Sequence, residues 1–149
     1  MQQQELSMGR ADSGAVFSYL HAEGWFRGAA VLQTLMRDSR SRAVANVVTF
    51  DAFEGWERGR WARMSRRRRV TGRFELLDAT GTPVAKDRAT LERVLGWDGN
   101  LASIEWTHEL EVPCAFLVHR LETEYVPLHQ VVAVRGFECH LSDGTGGVE

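Results

Sequence analysis

Residues 69–97 read RVTGRFELLDATGTPVAKDRATLERVLGW, a strand pattern followed by a turn and a helix pattern. Val70, Phe74 and Leu76 alternate with polar side chains, which indicates a strand with one buried face. We expect a β-bulge at Gly72, because a glycine inside a strand pattern often marks one. The segment ATGTP predicts a turn. A strand should therefore lead, after one turn, into a helix.

The last twelve residues of this stretch predict the one helix of the chain. Leu91, Val94 and Leu95 lie at the i, i+3, i+4 spacing of an apolar helix face. We expect Asp87 to cap the N-terminus and Gly96 to end the helix. The helix should therefore pack one face against the strands.

Two further strand patterns precede this unit. The run AVANVVTFDAF (43–53) places Val44, Val48 and Phe50 on one face and is rich in β-branched residues. The earlier run EGWFRGAAVLQTLMR (23–37) alternates as a strand does, although its Ala, Leu, Gln and Met residues favour a helix. Strand or helix stays open for this first element.

Two strand patterns also follow the helix. They are VPCAFLVHRL (112–121) and LHQVVAVRGF (128–137), and the acidic segment ETEYVP (122–127) separates them, so we expect a hairpin. The full order is then three strands, one helix and two strands. This order predicts a mainly β fold, an OB-fold-like five-stranded barrel with the helix between strands 3 and 4.

Length and composition agree with a single small domain. The chain has 149 residues, of which 44% are hydrophobic and 26% charged, as in ordinary globular proteins. We expect one folded domain over residues 14–141, with frayed tails at 1–13 and 142–149. The first residues lack a secretory signal and no apolar run could span a membrane, so a cytoplasmic protein with no membrane partner is expected.

Positive charge is concentrated in the middle of the chain. Residues 27–88 hold 14 basic and 7 acidic side chains, whereas residues 89–149 hold 3 basic and 10 acidic ones. Eight arginines fall within sixteen residues, with aromatic residues interleaved among them. The arginines are Arg58, Arg60, Arg63, Arg66, Arg67, Arg68, Arg69 and Arg73, and the aromatic residues are Trp56, Trp61 and Phe74.

This composition is typical of proteins that bind single-stranded nucleic acid. Arginines attract the phosphates, and aromatic rings stack on bases without regard to sequence. Because Gly55 and Gly59 interrupt residues 54–69, we expect a loop or mixed insertion there. The alternative is a solvated basic loop whose tryptophans fold into the core.

Catalytic and metal-binding signals are weak. The five histidines and the two cysteines, Cys114 and Cys139, match no short ligand spacing such as CxxC or HxxxH, so no metal site or cofactor is expected. The chain also lacks GxSxG, Walker A, GxGxxG and HExxH motifs. A metal-dependent nuclease built on Glu105, His108 and Glu109 is the least favoured hypothesis. We therefore expect no enzyme activity.

The helix end and the final hairpin carry a family resemblance. The chain resembles a phage-associated family of small OB-fold-like proteins encoded near recombination and replication genes. The matching segments are RATLERVLGWDG (88–99), GWFRGAAVL (24–32), AVANVVTF (43–50), VPCAFLVHRL (112–121) and VVAVRGF (131–137). Two features depart from the family pattern: the acidic ETEYVP connection and the arginine-rich segment.

The resemblance implies single-stranded DNA binding in support of phage recombination or replication, without a catalytic centre. RNA stays open as a ligand, because the choice lies in contacts to the 2′-hydroxyl. The alternative is a protein-interaction module. In it, the basic middle of one subunit meets the acidic final third of another as a homo-oligomer, or the protein inhibits a host factor.

Overall fold

The computed structural model describes residues 22–104, 107–121 and 128–141. The tails predicted at 1–13 and 142–149 lie outside the described residues. The described part is mainly β, as predicted. Its elements are β1 (Gly24–Arg37), β2 (Val44–Glu57), β3 (Arg60–Leu77), α1 (Ala85–Leu95), a 3₁₀ turn (Leu101–Ile104), β4 (His108–Leu121) and β5 (Leu128–Gly136).

The five strands form one sheet that closes on itself in the order β1-β2-β3-β5-β4. The β1–β2, β2–β3, β1–β4 and β4–β5 pairs are antiparallel. The parallel contact between β3 and β5 closes the ring through Thr71–Gln130 and Gly72–Val131. The first element is therefore a strand. The predicted hairpin of the last two strands and the helix between the third and fourth strands are confirmed.

The core fills the inside of this closed sheet. Val44, Val48 and Phe50 of β2 are buried, as their alternation predicts, and the Phe50 ring lies 4.8 Å from the Phe116 ring of β4. The inward-facing residues predicted for the next strand, Val70, Phe74 and Leu76, are buried in the same core. Period-2 alternation therefore identified the inner face of both strands.

Helix α1 contacts β3, β4 and β5 and adds Leu91 and Leu95 to the core. Gly96 ends it as predicted, in the left-handed conformation with φ 77°, and the Trp97 N–H donates to the Leu91 carbonyl. No helix in the described part of the chain is long and apolar enough to cross a membrane.

The predicted cap Asp87 is wrong. The helix starts after Val84, which makes no side-chain cap, and Asp87 lies in the first turn. Its carboxylate accepts a hydrogen bond from the Glu75 N–H at 2.8 Å. Asp87 therefore ties the helix to β3, a long-range contact that local sequence does not reveal.

The predicted bulge at Gly72 is also wrong. Gly72 pairs regularly with Val48 on one side and with Val131 on the other. A Cβ at this position would lie 2.9 Å from the Val131 Cβ and 3.0 Å from its carbonyl oxygen. The glycine is needed because β5 approaches closely here.

The loop predicted for residues 54–69 is a β-hairpin instead. Arg58 and Gly59 form a two-residue turn, and both have positive φ angles, 55° and 78°. This is the backbone of the tight turns that match strand twist. Glu57 pairs with Arg60 across the turn, and Gly55 pairs with Ala62 inside the ladder. Only Gly59 therefore interrupts the strand pattern, whereas Gly55 lies inside β2.

The sheet carries a second apolar cluster on its outer surface, which we call the outer cluster. Its buried members are Trp25, Ala115, Leu117 and Leu141, and the half-buried residues packed against it are Trp56, Trp61, Ala133 and Cys139. Because the two tryptophans come from the β2–β3 hairpin, the cluster anchors that hairpin to β1 and β4.

Substituting Gly28 by alanine should destabilise the closed sheet. The added Cβ would lie 1.9 Å from the Asp51 carbonyl oxygen, so β1 and β2 would have to move apart. We expect the free energy of unfolding to fall by about 1–3 kcal/mol or more, measured by urea denaturation. Gly136→Ala is the control, because nothing lies within 4 Å of its added Cβ. Equal stability of both variants would contradict the close approach.

Candidate nucleic-acid interface

A large bulge in β3 shapes the arginine-rich region. Ala52 pairs with Arg68 and Glu54 pairs with Arg63, so Phe53 alone stands opposite the four residues 64–67. Met64 is buried and anchors the bulge, whereas Ser65, Arg66 and Arg67 are exposed. Such a bulge redirects side chains away from the regular ladder. Here it directs two neighbouring arginines towards solvent.

Five of the eight predicted arginines are exposed and have no acidic partner in the described part of the chain. Among the residues that the structure describes, no carboxylate lies within ion-pair distance of any of them. They are Arg58, Arg60, Arg63, Arg66 and Arg67. Unneutralised guanidinium groups at this density create a positive potential that attracts anions.

Two other arginines are exposed but paired. The Arg69 guanidinium donates to both carboxylate oxygens of Asp51, at 2.7 and 3.0 Å. Arg73 donates to Glu75 at 2.7 Å. Part of their charge is therefore already compensated, and they contribute less to an anion site than their unpaired neighbours.

Arg68 is buried, with 6% of its surface exposed. Its guanidinium donates to the Ala22 carbonyl at 2.7 Å and lies 5.0 Å from the centre of the Phe26 ring. Burial lowers the pKa of Arg68 from its usual value. This arginine faces into the protein, because it shares the strand parity of Val70 and Phe74.

The side chains of the three aromatic residues predicted to stack on bases are packed against other parts of the protein. Phe74 lies in the core with 4% of its surface exposed. Trp56 and Trp61 pair directly across the hairpin, edge to face at 5.1 Å, and pack on the outer cluster. The more accessible ring is Phe53, which is 37% exposed beside the bulge.

A groove of ≈ 520 Å³ lies between the bulge and the outer surface of β1 and β2. It is lined by Arg27, Phe53, Glu54, Arg63, Met64, Ser65, Arg67 and Phe137. Cations and aromatic rings are therefore neighbours in space here, as well as along the sequence.

Two arginines of the groove lie over aromatic rings. The Arg27 guanidinium is 4.7 Å from the Trp61 ring centre and 4.4 Å from that of Phe137, and it pairs with Glu54. The Arg67 guanidinium is 4.8 Å from the Phe53 ring centre. Arg27 is thus held by several partners, and Arg67 by one weak contact.

Sequence reasoning missed Arg27, Phe53 and Phe137 as site residues. Arg27 lies on β1 and Phe137 follows β5, so they meet the hairpin only in the folded protein. Phe53 lies within the predicted strand run 43–53, where alternation assigns it to the outer face. Its outward direction was the one local signal available.

The structure describes only one of the three side chains of the hypothesised nuclease cluster. Glu105 lies outside the described residues, and the side chain of His108 is not described, which leaves Glu109 exposed on β4. In the described part of the chain, no group of three potential metal ligands comes together. Burial raises the pKa of the Cys114 thiol to about 12, so this cysteine is a poor nucleophile.

Replacing Trp61 by alanine should weaken the fold. The change removes the ring pair with Trp56, worth about 0.5–1.5 kcal/mol, together with part of the outer cluster. We expect a larger decrease in the free energy of unfolding than for Phe53→Ala, which truncates an exposed ring. A Trp61→Ala protein of normal stability with reduced oligonucleotide affinity would instead make Trp61 a stacking residue.

The chain has no match among family models, curated proteins or solved structures. Its function is therefore inferred from the geometry and the charge of the interface.

Proposed function

We propose that the protein binds single-stranded nucleic acid without catalysing a reaction, along the β2–β3 hairpin and the groove beside it. The observation that carries the proposal is the set of five exposed arginines on the hairpin that have no acidic partner among the described residues. Two of them, Arg63 and Arg67, line the groove beside the accessible Phe53 ring. Each arginine that neutralises a phosphate releases a counterion, which is the main source of sequence-independent affinity.

The sheet connectivity supports an OB-type barrel as the fold. β1 pairs with both β2 and β4, β3 closes on β5, and α1 lies between β3 and β4 in the chain. OB-folds bind oligonucleotides on the face of their second and third strands. In this chain, the bulge and Phe53 lie on those two strands; Arg60, Arg63, Arg66 and Arg67 lie on β3, and Arg58 lies in the turn between the strands.

A single strand fits this surface better than a duplex. Aromatic rings stack on the faces of bases, and a duplex hides those faces inside its own stack. We propose single-stranded DNA as the ligand, and the binding test includes an RNA oligomer for comparison. We propose phage recombination or replication as the setting, on the sequence resemblance alone.

The triple substitution Arg63→Ala, Arg66→Ala, Arg67→Ala should weaken binding to a labelled oligo-dT by about tenfold or more, because it removes three charge-assisted hydrogen bonds to phosphates. The plot of log affinity against log salt should also become shallower, by about 0.7 for each phosphate that is no longer neutralised. Fluorescence anisotropy at several salt concentrations measures both changes. Arg68 is left intact because it is buried.

The matched control is Arg37→Ala, Arg40→Ala, Arg42→Ala, which removes the same charge from exposed positions around the β1–β2 turn. An equal decrease of affinity in both triple variants would contradict the assigned surface. Wild-type affinity that did not change with salt would contradict the mechanism. A salt-sensitive oligomer that bound neither oligo-dT nor oligo-rU would favour the interaction module instead.

A further inference from the structure

The Phe53 ring is exposed because of the bulge. On the facing strand, the four residues 64–67 stand opposite Phe53 alone, so Phe53 has no paired residue in a regular ladder. The ring is 37% exposed and contributes one wall of the groove. Arg63 and Arg67 line the same groove as this ring.

Arg67 covers this ring with a contact that is easily replaced. A guanidinium over an exposed ring is a weak interaction, whereas a stacked base is a stronger one. In this conformation, no carboxylate among the described residues lies within ion-pair distance of Arg67. A phosphate of the same nucleotide chain would supply its partner.

Arg27 behaves differently, because its surroundings hold it in place. Its side chain is 19% exposed, pairs with Glu54 and lies over two rings. The charge of Arg27 is largely compensated by Glu54, so Arg27 is not a strong phosphate site. The uncompensated charges of Arg63 and Arg67 lie elsewhere on the lining of the groove. This arrangement favours a base in the groove and phosphates beside it.

The groove also has the size and polarity for one base. Its ≈ 520 Å³ falls within the roughly 300–1,000 Å³ of small-ligand sites. Glu54 and Ser65 supply acceptor and donor groups for a base edge. We infer that the groove is a subsite for one unpaired base, which stacks on Phe53 and transfers Arg67 from the ring to a phosphate.

This inference rests on the proposed function, and its test must separate base from phosphate recognition. The probes are a labelled oligo-dT and an oligomer of equal length and charge in which every nucleotide is abasic. We expect the wild-type protein to prefer oligo-dT. Phe53→Ala should lower the ratio of the two affinities by about fivefold or more, because one base can no longer stack.

Two further variants make the assignment specific. Phe53→Trp should keep or increase the ratio, because indole is also a stacking surface. Arg67→Ala should weaken binding of both oligomers but keep or increase the ratio, because it removes a phosphate partner and uncovers the ring. Met36→Ala is the control for truncation of an exposed apolar side chain, since Met36 is 49% exposed on β1, and it should leave the ratio unchanged.

The results that would contradict the proposed function differ from those that would contradict only the base subsite. A wild-type protein that binds neither oligomer overturns the proposed function and the subsite with it. Equal binding of both oligomers overturns the subsite and leaves phosphate recognition standing. A preference for oligo-dT that Phe53→Ala leaves intact, in a variant shown by urea denaturation to be folded, places the stacked base elsewhere and also overturns the subsite.

Discussion

The close approach of β3 to β5 at Gly72 holds the sheet closed. Among the described residues, two pairs join these strands, Thr71–Gln130 and Gly72–Val131. A Cβ at position 72 would lie closer to the Val131 Cβ and carbonyl oxygen than ordinary van der Waals contact allows. Phe50 and Phe116 belong to the core inside the ring that this contact closes.

The same contact divides β3 into two parts. From Arg68 onward, the strand alternates between buried and more exposed residues, and its part after Thr71 is tied to α1 by the hydrogen bond between Glu75 and Asp87. Before Thr71, the described ladder pairs β3 with β2 alone, so the strand can bulge over residues 64–67 without breaking a second ladder. The feature that exposes Arg66, Arg67 and Phe53 therefore depends on where the ring closes.

The outer cluster gives this bulged hairpin a fixed position. Trp56 and Trp61 pack against Trp25 and Leu141, so apolar burial on the outside of the sheet restrains an otherwise projecting hairpin. Arg27 links the two regions, because it contacts Trp61 in the cluster and pairs with Glu54 in the groove. A rigid groove loses less entropy when it binds a ligand.

Local patterns were enough to identify most strands, the helix and the arginine content. The alternation of Val44, Val48 and Phe50 and the i, i+3, i+4 stripe that begins at Leu91 depend on side-chain periods that any short window contains. The concentration of positive charge is likewise a property of composition. These features needed no knowledge of which strand pairs with which.

The roles of individual residues depended on pairing between distant strands. The turn glycine Gly59 and the ladder glycine Gly55 look alike in the sequence, and only register separates them. Register also buries Arg68 between exposed neighbours and leaves Phe53 opposite a bulge. A bulge is a mismatch in pairing between two strands, so the sequence of one strand cannot reveal it. The groove likewise forms only where the folded chain brings β1, β2, β3 and the residue after β5 together.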